Sequence, residues 1–186
     1  PPPPPGPAAR PPTRHAAPPT MHDARAPRRR GADASLEKRA RAHREVGGEI
    51  VSAGGTGSYD INHHATEIQA GSYALMDTAY AKLGLPFRSA LSVLATVISI
   101  SPQFAVADCG LKALGMDHGN PSVDAAKVWF CSDEHITFAP ERPLRVGDRV
   151  RVWPGHVDPT VAYHESLRIV SGEAVVETWP VDLRGW

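Results

Sequence analysis

Gly147-Asp148-Arg149-Val150-Arg151-Val152-Trp153 places a turn signal ahead of five residues that alternate charged and apolar side chains. Successive side chains on a strand point to opposite faces, so this period of two reads as a strand with one face against a core. Similar signals lie on both sides of it. Leu91 to Ile100 is long and β-branched, and Pro102 follows it. Gln103 to Asp108 alternates, and Lys127 to Cys131 is apolar and aromatic. Leu167 to Val170 and Ala174 to Thr178 flank Ser171-Gly172, the pattern of a hairpin. Five or six strands joined by short turns predict a mainly β domain over 91–186, a small barrel or sandwich.

Residues 46–90 read differently. Glu49-Ile50-Val51-Ser52 predicts a short strand that runs into Gly54-Gly55-Thr56-Gly57-Ser58, too glycine-rich for an element interior. Met76 to Leu83 predicts a helix that stops at Gly84. Residues 1–45 hold no aromatic residue and carry Pro1 to Pro5 and the run Arg28-Arg29-Arg30. A disordered tail is the expectation there, with room for a short helix over Ser35 to Glu45.

The formal charge of zero conceals a division. Residues 1–45 hold 10 basic and 4 acidic residues, and the rest holds 10 basic and 16 acidic. The two segments thus carry +6 and −6. A basic arm could bind nucleic acid, but no aromatic residue lies near the arginines and the β segment is acidic, so no nucleic-acid partner is expected. No run is long and apolar enough for a membrane span, and no apolar stretch follows a basic start as in a signal peptide. Cys109 and Cys131 are too few for a disulfide framework, so a cytoplasmic setting is expected.

Three groups could carry chemistry. In the Gly54 to Ser58 loop, backbone N–H groups and the Thr56 and Ser58 hydroxyls could cradle a phosphate, or the glycines could simply make a turn. In Gly155-His156-Val157-Asp158-Pro159-Thr160, His156 and Asp158 would share a strand face and present an imidazole beside a carboxylate. That pair suits a divalent cation, with His164 as a third member, or it is a surface histidine with a turn aspartate. In Asp133-Glu134-His135, a carboxylate could orient His135 for acid–base work, or the segment is a solvated strand end.

Five motifs in order resemble the D-threonine aldolase and D-serine dehydratase-like family, pyridoxal-phosphate enzymes of the alanine racemase fold type. They are Glu49 to Ser58, Glu67 to Asp77, Ala107 to Leu114, Ser132 to His135 and Gly155 to Thr160. The resemblance spans 46–186 and leaves out 1–45. It implies that 46–90 is the last strand and helix of a (β/α)8 barrel and that 91–186 is a C-terminal β-barrel-like domain. It implies phosphate binding by Gly54, Gly55, Thr56, Gly57 and Ser58, and a divalent metal on His156 and Asp158. An aspartate at 158 leans toward Mg²⁺ or Mn²⁺ rather than Zn²⁺. The implied reaction is retro-aldol cleavage of a 3-hydroxy-D-amino acid to glycine and an aldehyde or glyoxylate. The alternatives are a dehydratase-type deamination and a non-catalytic metal-binding β module.

The family's Schiff-base lysine belongs to a part of the barrel that this sequence does not match. Neither Lys38 nor Lys112 stands in its motif, so no catalytic residue is assigned. The expectation is a truncated or fragmentary product, inactive alone, with residues 1–45 either a genuine tail or a frame artefact. Homodimers are expected of the intact enzyme.

Overall fold

A computed structural model of the chain describes residues 21–182 and residue 184. What was expected of residues 1–20 lies outside the described residues.

Six strands close into a barrel: β1 (Val93–Ile100), β2 (Ala105–Ala107), β3 (Ser122–Val123), β4 (Ala126–Cys131), β5 (Ile136–Pro140) and β6 (Arg149–Trp153). Their order around the barrel is β1-β2-β5-β4-β3-β6, every pair antiparallel, and β6 returns to β1. Closure follows from the alternation. Val150 and Val152 turn inward while Arg149 and Arg151 stay in solvent. Opposite them Val152 pairs with Val93 and Val150 with Ala95, so apolar faces meet along the seam. The interior is filled by Ala95, Val97, Ala105, Ala107, Val123, Ile136, Phe138, Val150 and Val152, with Cys109 and Leu114 packed beneath. Small alanines opposite Phe138 and Ile136 fit bulky and slim residues into a narrow lumen. The two cysteines are unpaired. Burial pushes the Cys109 thiol up to about 12, and Cys131 and Asp108 add to the shift. Burial likewise pushes Cys131 up to about 11.

The predicted hairpin is present as β7 (Ser166–Ser171) and β8 (Ala174–Pro180), a separate two-stranded sheet turned at Gly172, where φ is +61°.

Three expectations are corrected. Residues Met21–Val46 form a helix, α1, where a disordered tail was expected. Its i,i+4 pairs Arg29–Asp33 and Arg41–Glu45 are exposed and contribute little. What anchors it is Leu36, buried against the 52–58 segment, a tertiary contact invisible in so polar a sequence. Glu49 to Ser52 makes no ladder; its one strand-like contact is the parallel bridge from Ser52 to Glu67. A lone extended segment with a two-residue neighbour cannot satisfy both its edges. The helix expected over Met76 to Leu83 is shorter. Met76 takes a left-handed φ of +56°, and Asp77 caps a single turn, α2 (Thr78–Ala81).

Candidate functional site

His156 follows β6 at the barrel rim. It was expected on a strand. It instead caps α3 (Val157–Tyr163), and Asp158 lies in the first turn of that helix. The segment leaves β6 through Gly155, where a Cβ would lie 2.0 Å from the Gly119 carbonyl oxygen, so only glycine lets the two loops touch. β3 pairs with β6, Ser122 opposite Trp153. The loop entering β3 is therefore carried alongside the loop leaving β6. Hydrogen bonds then join them: His156 N to Gly115 O at 3.1 Å, and Gly115 N to Thr160 Oγ1 at 2.8 Å.

This juxtaposition brings Asp117 and His118 to His156. Nδ1 of His156 lies 2.8 Å from each Asp117 carboxylate oxygen, and Nε2 lies 3.1 Å from Asp158 Oδ2. The His118 ring stacks on the His156 ring at 3.7 Å. The His156 side chain is 17% exposed, while Asp117 and Asp158 are open to solvent. The hydrogen bond from His156 holds the Asp117 carboxyl below the ordinary carboxylate value.

The donor set tests the fit of a metal. A carboxylate only accepts, so the short Nδ1 contact fixes the imidazole N–H toward Asp117. In the neutral ring, Nε2 is then a lone pair facing the Asp158 carboxylate. Two lone pairs in contact repel unless a proton or a cation intervenes. Ligand atoms of Asp117, His118 and His156 lie within 4.8 Å of one another, and with the N–H spent on Asp117 the pair left to face an ion is His156 Nε2 and Asp158. Nitrogen and carboxylate oxygen together suit Mn²⁺ or Zn²⁺, and the carboxylates also accept Mg²⁺. The residues fit such an ion.

A buried carboxylate fixes this rim to the 46–90 segment. Asp77, 1% exposed, accepts from Tyr80 N at 2.8 Å and from Val157 N at 3.0 Å, and so caps α2 and α3 together.

The Gly54 to Ser58 loop curls into a turn closed by Ser58 N on Gly55 O at 3.0 Å. Gly54 has a φ of +85°, and a Cβ there would lie 2.7 Å from Asn62 Nδ2, which donates to Ala53 O. Gly54 and Ser58 line a cavity of about 630 Å³ between this segment and α1, together with Ala32, Ser35, Leu36, Arg39, Ser52, Ala53 and Gln69. Gly55, Thr56 and Gly57, expected in the phosphate loop, are not among the residues that line it, and Thr56 is committed elsewhere. Its side chain is buried and its hydroxyl accepts from Tyr73 N. Hydroxyls, an amide and a guanidinium suit the phosphate end of a cofactor. Among the described residues no lysine lines the cavity.

The remaining candidates are not brought together. His164 Nε2 donates to Ala113 O at 2.9 Å and stands apart from the His156 cluster. His135 is exposed, and Glu134 beside it pairs with Lys112 at 2.5 Å.

Residues 90–170, which contain the entire barrel, match the family model described as "Putative serine dehydratase domain". The barrel is thus a serine dehydratase-type domain. A 3-hydroxy-D-aspartate aldolase from Paracoccus denitrificans (strain Pd 1222) is 39% identical over 154 residues, covering 74% of this chain and 40% of that protein. The solved D-threonine aldolase from Filomicrobium marinum superposes with a TM-score of 0.73 at 33% identity, covering 88% of this chain and 49% of that one. D-threo-3-hydroxyaspartate dehydratase from Delftia sp. HT23 superposes with a TM-score of 0.67 at 25% identity, covering 85% and 52%. The chain belongs to the D-threonine aldolase and D-serine dehydratase-like family. It spans about two fifths of the curated relative's length. The superposition on the Filomicrobium enzyme takes in about 164 of the 186 residues, more than the 141 that follow Glu45. It therefore extends into α1, while the sequence match to the Paracoccus aldolase covers 74% of the chain.

Proposed function

We propose that the chain is the C-terminal part of a metal-activated pyridoxal-phosphate lyase that cleaves the Cα–Cβ bond of 3-hydroxy-D-amino acids to glycine and an aldehyde or glyoxylate. The observation that carries this reading is His156 held between two carboxylates, its Nε2 facing Asp158. Asp117 keeps the proton on Nδ1, so Nε2 is left as a ligand. Asp158 supplies a hard oxygen beside it, which favours Mg²⁺ or Mn²⁺ over Zn²⁺. Ser58 and the backbone around Gly54 would hold the cofactor phosphate. When bound, the cation supplies Lewis acidity toward a substrate hydroxyl, and the cofactor supplies an electron sink.

Similarity to the aldolases exceeds that to the dehydratase, 39% and 33% identity against 25%, and supports carbon–carbon cleavage over deamination. Because no lysine lines the cavity, the chain alone binds its ligands without turnover. Two free cysteines fit a reducing, cytoplasmic setting.

Titration of Mn²⁺ into the wild type and His156→Ala tests the metal site. Binding weakened tenfold or more in the variant supports it, and equal affinities overturn it. Mixing with pyridoxal phosphate and D-threonine tests the second part. Release of glycine above the background of free cofactor would overturn the absence of turnover.

A further inference from the structure

One group in the glycine-loop cavity is not explained by its neighbours. Arg39 lies on α1, outside the segment in which the family motifs occur. Ala32, Ser35, Leu36 and Arg39 are spaced i, i+3, i+4 and i+7, so they share one face of the helix. All four line the cavity against Ser52, Ala53, Gly54, Ser58 and Gln69. Leu36 is buried and sets the depth at which the helix docks.

The charges are arranged unevenly. Arg29 and Arg41 each pair with a carboxylate one turn further along the helix. Arg39 has no such partner among the described residues. Among the described residues no aspartate or glutamate lines the cavity. The Glu67 carboxylate takes the Ser52 hydroxyl, so that lining group is occupied. What remains open to the cavity is one guanidinium, the Ser35 hydroxyl, the Gln69 amide and the backbone around Gly54, while the Ser58 hydroxyl is bonded to the Gly55 backbone. An unpaired guanidinium above a glycine turn matches a tetrahedral dianion, because its planar fork can donate two parallel hydrogen bonds to phosphate oxygens.

We propose that α1 completes a phosphate-monoester site, with Arg39 as the cation that closes over an anion seated on the Gly54 to Ser58 loop. The site rests on the phosphate role given above to that loop. It adds that the helix before the loop is a binding element rather than a spacer.

The test uses the whole chain and inorganic phosphate, read by isothermal titration at fixed ionic strength. Arg39→Gln is expected to weaken phosphate about tenfold, the low end for a charge-assisted bond at a partly solvated site. Arg39→Lys keeps the charge and loses the fork, so its loss is expected to be smaller. Arg41→Gln removes equal charge from the same helix outside the cavity and is expected to leave affinity unchanged. A melting temperature held in all three variants shows that α1 stays folded. Equal losses in Arg39→Gln and Arg41→Gln would reduce the effect to general charge and overturn the proposal. Unchanged affinity in Arg39→Gln, with affinity lost in Gly54→Ala, would overturn the role of Arg39 and leave the loop reading standing. No phosphate binding by the wild type would overturn both.

Discussion

Replacing Asp77 with alanine is expected to destabilise the protein by about 2–4 kcal/mol. The carboxylate is 1% exposed and accepts one backbone N–H at the start of α2 and another at the start of α3. Loss of the first is loss of a helix N-cap, about 1 kcal/mol. Loss of the second leaves the N–H of Val157, itself 2% exposed, without its acceptor, which costs about 1–3 kcal/mol. For a chain of this size that is a fall in melting temperature of about 4–16 °C. Urea unfolding followed by tryptophan fluorescence measures it, with an unchanged slope showing that the same surface is exposed. Asp77→Asn retains one acceptor oxygen and is expected to lose about half as much. The same alanine variant is expected to weaken Mn²⁺ binding, because His156 immediately precedes Val157. A loss below about 0.5 kcal/mol in Asp77→Ala would refute the idea that this carboxylate joins the two helices.

Phe138 is the largest side chain sealed in the barrel, and Phe138→Ala is expected to cost about 3–5 kcal/mol in the same assay; a cost near 1 would show a collapsible interior. Gly155→Ala forces a Cβ against the Gly119 carbonyl, so Mn²⁺ affinity is expected to fall even where the far-ultraviolet spectrum is kept. Alkaline pH provides a further check. Cys109 and Cys131 titrate from 9.0 in the unfolded chain to about 12 and about 11 in the native one. Between those values the native state holds more protons, so stability falls as pH rises above 9. The urea midpoint is expected to drop over that interval, and to drop less in Cys109→Ala. At pH 8, Cys109 is expected to react slowly with thiol reagents in the native state and quickly in urea.

The barrel was legible because its strands carry their own evidence. Arg149 to Trp153 alternates, and Ser171-Gly172 sits between two β-branched runs. Elements whose stability comes from elsewhere were not legible. Among the described residues of α1 the buried anchor is Leu36, in a polar and arginine-rich sequence. α3 is seven residues long and was read as strand, although Asp158 and Pro159 in its first turn are helix-start signals. The pairing of His156 with Asp158 was anticipated for the wrong geometric reason: a helix turn, not a strand face, brings them together. Asp117 and His118 were missed altogether. They stand 39 and 38 residues from His156, and the β3–β6 pairing with the Gly115–His156 contact joins them. A Gly-Met-Asp-His-Gly stretch, two ionisable residues between glycines, was the signal available.

The seam of the barrel also sets an order of events. β1 must find β6, which lies some fifty residues further along, and β3 must reach β6 from the other side. Contacts so distant in sequence form slowly, after local hairpins such as β7–β8. His156 leaves directly from β6, and Asp117 directs the approach to β3. Their meeting is thus a product of ring closure, and the cluster cannot assemble on a half-formed sheet. A paramagnetic ion such as Mn²⁺, added during refolding, would report the moment at which the ring shuts.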